Sequence, residues 1–531
     1  MFKFFPKLIT AWCKNNTTPL PININFDPPS KFRMKIKSFL AKPYASIIHS
    51  KVRKGMATAV ADQLAVLQSL VKTGARTLFG KDHGLQSVKT YEDFKKAVPV
   101  RDYEAFKPYI DKIKNGDQNV LWKGKPIYFA KTSGTTSGVK YIPITSDSIP
   151  NHINTARDAL LCYMAESGNS SFADGRMIFL SGSPELERVG GIPTGRLSGI
   201  VNHFVPRYLR GNQLPSYETN CIEDWETKLA KIVQETMGEN MTLISGIPPW
   251  MQMYFDWLSE RNDGKKIKEL FPALQVIVHG GVNFEPYKTK LLDSIGGHID
   301  MIETFPASEG FFAFQDKPKH EGLLLNTNSG IFFEFIPVAD VGKENPVRLS
   351  LGEVKTGENY ALVVSTNAGL WGYSIGDTVK FVSIDPYRIA VTGRTKHFIS
   401  AFGEHVIAEE VEYAMNKVSA EFNTHIIEFT IAPAIQVSEG LPYHEWFIEF
   451  DTPPADMEGF ATSLNNHLRQ KNIYYEDLII GHILQTLKVR SMQKGAFIGY
   501  MKSIGKLGGQ NKVPRLSNDR KIADALAEWI A

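Results

Sequence analysis

Between residues 177 and 336, short β-rich runs alternate with longer helical segments, and this alternation limits the fold more than any other feature of the chain. The runs are Met177-Ile-Phe-Leu180, Gln275-Val-Ile-Val278, Met301-Ile-Glu-Thr-Phe305 and Ile331-Phe-Phe-Glu-Phe-Ile336, with helical sequence such as Asp224 to Met237 between them. Strands that must be joined through helices favour α/β layers. Three further strand candidates follow closely, Tyr360 to Ser365, Thr378 to Ile384 and Arg388 to Thr392, and Gly393-Arg394 ends the series. A chain of 531 residues is too long for one ordinary core. The expected organisation is a large multi-layer α/β amino-terminal domain, residues 1–393, and a smaller mobile α+β domain, residues 394–531, with strands such as Trp446 to Phe450 and a helix over Ile522 to Ile530.

The amino-terminal part reads differently. Residues 15–32 are rich in Pro and Asn and predict an irregular arm. From Ser50 to Lys72 a helix is expected whose buried face carries Val60, Leu64, Leu67 and Val71.

Composition removes several function classes. Hydrophobic residues make up 43% and charged residues 22%, as in a folded enzyme. The formal charge of +4, without a basic block, gives no reason to expect nucleic acid. Cys13, Cys162 and Cys221 are few, odd in number and far apart, which argues against a disulfide scaffold or a cysteine zinc site and favours a reducing compartment. The amino terminus has no signal-peptide core and no apolar run is long enough to span a membrane, so the expectation is a cytoplasmic protein with no obligate protein partner.

Five stretches can carry chemistry. In Phe129-Ala-Lys-Thr-Ser-Gly-Thr-Thr-Ser-Gly-Val-Lys-Tyr-Ile-Pro143, the seven residues Thr132 to Gly138 are all Thr, Ser or Gly, and Lys140 follows. Hydroxyls and backbone N–H groups there can converge on phosphate oxygens. The Walker pattern is excluded, because three residues separate Gly134 from Gly138 and Val139 precedes Lys140. A flexible surface loop is the alternative, weakened by the β-rich flanks Pro126 to Ala130 and Tyr141 to Ile144. The run Met301 to Gly310 ends in Thr304, Ser308, Glu309 and Gly310, where a carboxylate can hold Mg²⁺ against nucleotide oxygens and Phe305 can stack on a base; a strand followed by a helix cap explains the same residues. In Gly372-Tyr-Ser-Ile-Gly-Asp377, Asp377 can accept from both hydroxyls of a ribose, or the segment is a plain turn. Thr392 to His405, with Arg394 and Lys396, is a hinge or a solvated linker. Gly508 to Arg515 carries Lys512, a movable point charge for an oxyanion or an ordinary exposed lysine.

In the order TSGTTSGVK, HGGVNFEPY, ETFPASEG, GYSIGD, TGRTKHF and a late lysine, these motifs resemble those of the adenylate-forming superfamily of acyl-CoA synthetases, adenylation domains and luciferases. Within it, the chain most resembles the Gretchen Hagen family of auxin-responsive acyl acid amido synthetases, from VPVRDYEAFKPYI to GGQNKVPR. The resemblance implies ATP and Mg²⁺ as cofactors and a role for each matching residue. Thr132, Ser133, Gly134, Thr135, Thr136, Ser137, Gly138 and Lys140 match the phosphate loop. Gly280, Gly281 and Val282 match the lining of the adenine, and Phe305, Ser308, Asp377 and Arg394 fall in the adenine and ribose motifs. Glu309 matches the acidic residue associated with Mg²⁺, and Lys512 the catalytic lysine. Two departures stand out: Phe305 replaces a Tyr, and Ser374 replaces an Arg near the nucleotide. Trp250, Met251, Tyr254 and Phe311 are candidates for the pocket of a small aromatic or fatty acid, with ordinary core as the alternative.

The implied reaction is adenylation of a carboxylic acid, then transfer of the acyl group to an amine, commonly an amino acid, with the small domain rotating about the segment near Arg394. An acyl-CoA ligase shares the first step. A nucleotide sensor without turnover is the alternative from another class, although binding alone does not need the late lysine.

Overall fold

The computed structural model describes residues 30–133, 139–205, 210–281, 284–318, 321–394, 398–404, 406–504 and 513–531. The Pro- and Asn-rich arm, residues 15–32, lies almost wholly outside them. Strands β1 (Tyr128–Ser133), β2 (Val139–Ile144), β4 (Glu187–Val189) and β5 (Ile192–Gly195) form a small sheet in the order β2-β1-β5-β4. An eleven-stranded sheet holds β3 (Arg176–Phe179), β6 (Gln213–Leu214), β7 (Met241–Ser245), β8 (Val276–Gly280), β9 (Asp300–Ala307), β10 (Gly310–Phe314), β11 (Leu323–Leu325), β12 (Ile331–Pro337), β13 (Asn359–Thr366), β14 (Tyr373–Ile384) and β15 (Tyr387–Arg394). Its order is β12-β13-β14-β15-β11-β10-β9-β8-β7-β3-β6.

One half of this sheet is parallel: β6, β3, β7, β8 and β9 run in one direction, joined through helices such as Trp225–Thr236, Pro248–Glu260 and Glu285–Ile295. β7 and β8, at the centre of this half, are mostly buried, as strands covered on both faces require, whereas β6 at the sheet edge and β9 are largely half-buried. From β9 onward every pairing is antiparallel. Each β-rich run named above falls on a strand, and Asp224 to Met237 is a helix whose Asp224 side chain caps the Thr227 N–H.

Beyond β15 come a two-stranded ribbon, β16 (Phe398–Ile399) and β17 (Val406–Ile407), and a three-stranded sheet of β18 (His425–Ala434), β19 (Tyr443–Thr452) and β20 (Lys488–Met492). Helices Ala408–Glu421, Met457–Lys471 and Ile473–Ile480 accompany them. This carboxyl-terminal part has an α+β composition, yet its apolar side chains, Val411, Trp446 and Leu468 among them, belong to the same buried cluster as Leu229, Met251 and Leu291 of the large part. The expected helix over Ile522 to Ile530 is shorter, Lys521–Leu526 followed by one 3₁₀ turn. Among the described residues no helix is long and apolar enough to cross a membrane.

The first helix among the described residues, Ser30–Gly74, corrects the expected buried face. Leu67 and Val71 are buried, but Val60 and Leu64 are 38% and 45% exposed. The inward stripe passes through Ala59, Gln63, Val66, Leu67 and Leu70. Gln63 sits at its centre because its amide donates to the carbonyls of Thr327 and Ile331 and accepts from the Phe333 N–H, each at 2.8 Å. A count of apolar residues passes over a polar side chain that is buried to satisfy backbone.

Candidate active site

The parallel strands bring several expected residues to one edge of the sheet, where the crevice of an open α/β fold lies. Gly280 ends β8 directly opposite Thr304 of β9. A β-carbon on Gly280 would lie 2.2 Å from the Thr304 carbonyl oxygen, so only glycine allows the two backbones to approach this closely. Gly281 then turns the chain with φ +82°, in the left-handed region. Val282 lies outside the described residues.

β9 does not lead into a helix. Ala307 pairs with Gly310, and Ser308-Glu309 form the two-residue turn of a β-hairpin. The helix-cap alternative is therefore overturned, and Glu309 stands at a hairpin tip. Asn151 steadies that tip: its Oδ1 accepts from the Phe311 N–H at 2.7 Å and its Nδ2 donates to the Phe311 carbonyl at 3.1 Å.

The hydroxyl-rich run is also a hairpin. Thr132 on β1 is in register with Lys140 on β2, and Ser133 with Val139. Gly134, Thr135, Thr136, Ser137 and Gly138 lie outside the described residues, as does the Ser133 side chain. The Lys140 ammonium lies 5.8 Å from the ring centre of Tyr103, whose hydroxyl accepts from the Tyr141 N–H.

The carboxyl-terminal part meets this hairpin through Tyr474, on helix Ile473–Ile480. Its hydroxyl donates to the Lys131 carbonyl at 2.8 Å, and it also shares a hydrogen bond with the Thr132 side chain. Burial raises the pKa of this hydroxyl, Arg196 and the Thr132 bond oppose the rise, and the Glu309 and Asp477 charges add to it. Thr132 and Glu309, 177 residues apart in sequence, thus converge on one side chain. The Arg196 guanidinium lies 5.1 Å from the Tyr474 ring centre and pairs with Asp477. Tyr474, Arg196 and Asp477 carry no motif, and sequence reasoning missed them. The only local signal is a pair of tyrosines opening a short helix.

Asp377 lies within β14 rather than in a turn, three strands along the sheet from β10 and in register with Arg394 of β15. Ser374, one of the two departures, is tied by its N–H to the Arg101 carbonyl at 2.8 Å. The Arg394 side chain, Lys396 and Lys512 lie outside the described residues.

Phe305 is 7% exposed and packs edge-on against Phe312, so the side chain expected to stack on a base belongs to the core. The four acyl-pocket candidates fall in two clusters, with Trp250, Met251 and Tyr254 together in one of them. Met251 and Tyr254 are fully buried, with the Tyr254 hydroxyl donating to Thr236 Oγ1, and Trp250 lies against Trp225. Phe311 belongs to a different cluster, with Cys162, Phe314 and Leu324. Among the described residues no group of three His, Cys, Asp or Glu side chains could hold a metal. The donor set at the hairpin tip, a single Glu309 carboxylate, fits a cation such as Mg²⁺ that draws its remaining oxygens from phosphates and water.

Thr132 bonds Tyr474 and the Glu309 charge acts on it, at the edge of a parallel sheet against which the carboxyl-terminal part packs, and with the family matches this places the chain in the adenylate-forming class of enzyme. Three domains of one family match the chain in order: the GH3 family N-terminal domain over residues 49–211, the central domain over 324–394 and the C-terminal domain over 409–521. The chain belongs to the GH3 family. It is 22% identical over 545 residues to indole-3-acetic acid-amido synthetase GH3.3 of Arabidopsis thaliana, covering 87% of this chain and 90% of the relative. It is 21% identical over 529 residues to jasmonoyl-L-amino acid synthetase JAR4 of Nicotiana attenuata, covering 85% and 90%. Among solved structures, the GH3.15 acyl acid amido synthetase shares the fold, with a TM-score of 0.57 at 17% identity over 96% of this chain and 98% of that one.

Proposed function

We propose that this protein is an acyl acid amido synthetase. It activates a carboxylic acid with ATP to an acyl-adenylate, releases pyrophosphate, and passes the acyl group to an amine, an amino acid in this reading. The observation that carries the proposal is the convergence of the Thr132 hairpin and Glu309 in a chain that belongs to this family.

Carboxylate and ATP are both anions, so the protein must supply positive groups and fixed donors at the phosphates while aligning a carboxylate oxygen with the α-phosphorus. Thr132, Ser133 and Lys140, with residues 134–138 between them, would hold the phosphate chain. Gly280, Gly281 and Val282 would line the adenine, Asp377 would accept from the ribose hydroxyls, and Ser308 would lie beside them. Glu309 would hold Mg²⁺, which neutralises phosphate charge when bound. Lys512 would meet the developing charge at the α-phosphate. Rotation of residues 394–531 about Arg394 would then exchange one half-reaction for the other. A cytoplasmic setting is part of this reading, supported by the free thiols of Cys162 and Cys221.

The deciding experiment measures ATP consumption over a panel of carboxylic acids, with amino acids or CoA added separately and products identified by mass. Amide and AMP are expected. Thioester without amide would make the enzyme an acyl-CoA ligase, and nucleotide binding without turnover a sensor. Lys512→Ala should abolish acid-dependent pyrophosphate exchange in a folded protein; unchanged exchange removes the lysine from the scheme.

A further inference from the structure

The β1–β2 hairpin outruns its support. On its outer side, β1 pairs with β5 only at Phe129 and Ala130, because β5 ends at Gly195. The next backbone carbonyl, that of Lys131, takes the Tyr474 hydroxyl at 2.8 Å. Across the ribbon, Lys131 is in register with Tyr141, whose N–H is held by the Tyr103 hydroxyl at 2.9 Å. Two tyrosine hydroxyls thus brace one residue pair, immediately before the segment that carries Thr132 and Lys140. Tyr103 comes from the amino-terminal domain, but Tyr474 comes from the carboxyl-terminal one. Arg196, the first residue after β5, lies over the Tyr474 ring and pairs with Asp477, one turn along the same helix.

We propose that Tyr474 is a positioning residue through which the carboxyl-terminal domain fixes the base of the phosphate hairpin, so that nucleotide is held at full strength only when helix Ile473–Ile480 is docked on β1. The inference rests on the phosphate-binding role proposed above for that hairpin. A hairpin left unbraced must be ordered at the expense of binding, whereas one already braced by Tyr474 and the Arg196–Asp477 pair is preorganised. Undocking of the helix would loosen the same backbone that grips the phosphates, linking domain position to nucleotide release.

The test uses the full chain and two readouts: direct titration with ATP, and the KM for ATP in pyrophosphate exchange. Tyr474→Phe keeps the ring and removes the hydroxyl, and both quantities should rise at least about fivefold, as expected when the bonds to the Lys131 carbonyl and the Thr132 side chain are lost. Tyr475→Phe is the structural control, since its hydroxyl donates to Asn465 in the core; it should lower thermal stability and leave ATP affinity alone. Arg196→Asp and Asp477→Arg should each weaken ATP binding, and the doubly reversed protein should recover it. Wild-type affinity in Tyr474→Phe, or an equal loss in Tyr475→Phe, overturns the proposal. A wild-type protein without acid-dependent exchange refutes the amido synthetase reading while the ATP titrations still decide the role of Tyr474; a wild type that does not bind ATP overturns both.

Discussion

Lys228 offers a quantitative test of how the site is framed. It is 3% exposed, and its ammonium donates to the carbonyls of Ser181, just beyond β3, at 3.0 Å and of Asn220 at 2.8 Å. It thereby ties the end of β3 to the segment before helix Trp225–Thr236. Burial lowers its pKa from 10.5 to about 8, with the Cys221 charge opposing the fall and the Arg196 charge adding to it. A shift of that size corresponds to about 3 kcal/mol between the two protonation states. Between pH 8 and 10.5 the unfolded chain keeps the proton on Lys228 while the folded chain releases it, so stability must rise with pH across this window. The cost of the buried charge is complete below pH 8 and relieved as pH approaches 10.5. Lys228→Met removes the titration and fills similar space. With Cys221, whose thiol is coupled to Lys228, replaced by Ser in both proteins, the remaining groups titrate alike and the difference between the stability curves isolates Lys228. Urea unfolding followed by tryptophan fluorescence should show the wild type gaining about 3 kcal/mol on the variant from pH 8 to 10.5. Parallel curves would refute the reasoning, whatever the absolute cost of the substitution.

Two further substitutions probe the fold and the site. Gly280→Ala places a β-carbon against the Thr304 carbonyl and should part β8 from β9, costing about 1–3 kcal/mol of stability and weakening ATP binding by about tenfold, read by thermal melting and nucleotide titration. Gln63→Leu strands the Thr327 and Ile331 carbonyls and the Phe333 N–H, and should cost about 3 kcal/mol or more in denaturant titration with the far-ultraviolet circular dichroism unchanged.

The sequence by itself determined the elements and the order of the motifs. β-rich runs follow from local backbone chemistry, so β3, β8, β9 and β12 to β15 were legible, as were the β-rich flanks of the Thr132 run. The choice between a helix cap and a hairpin tip at Ser308-Glu309 was not local: it depended on where β10 found a partner. Nor could periodicity place Gln63 inside and Val60 and Leu64 outside, since that choice is made by backbone groups 264 to 270 residues away. Tyr254 and Phe311, both apolar neighbours of motifs, were separated only by the packing that assigns them to different clusters. The tertiary structure alone decided that a tyrosine in the last fifth of the chain braces the strand leading to Thr132. Hydrogen bonds between distant residues are fixed by sheet order and helix docking, and neither leaves a period or a spacing in the sequence.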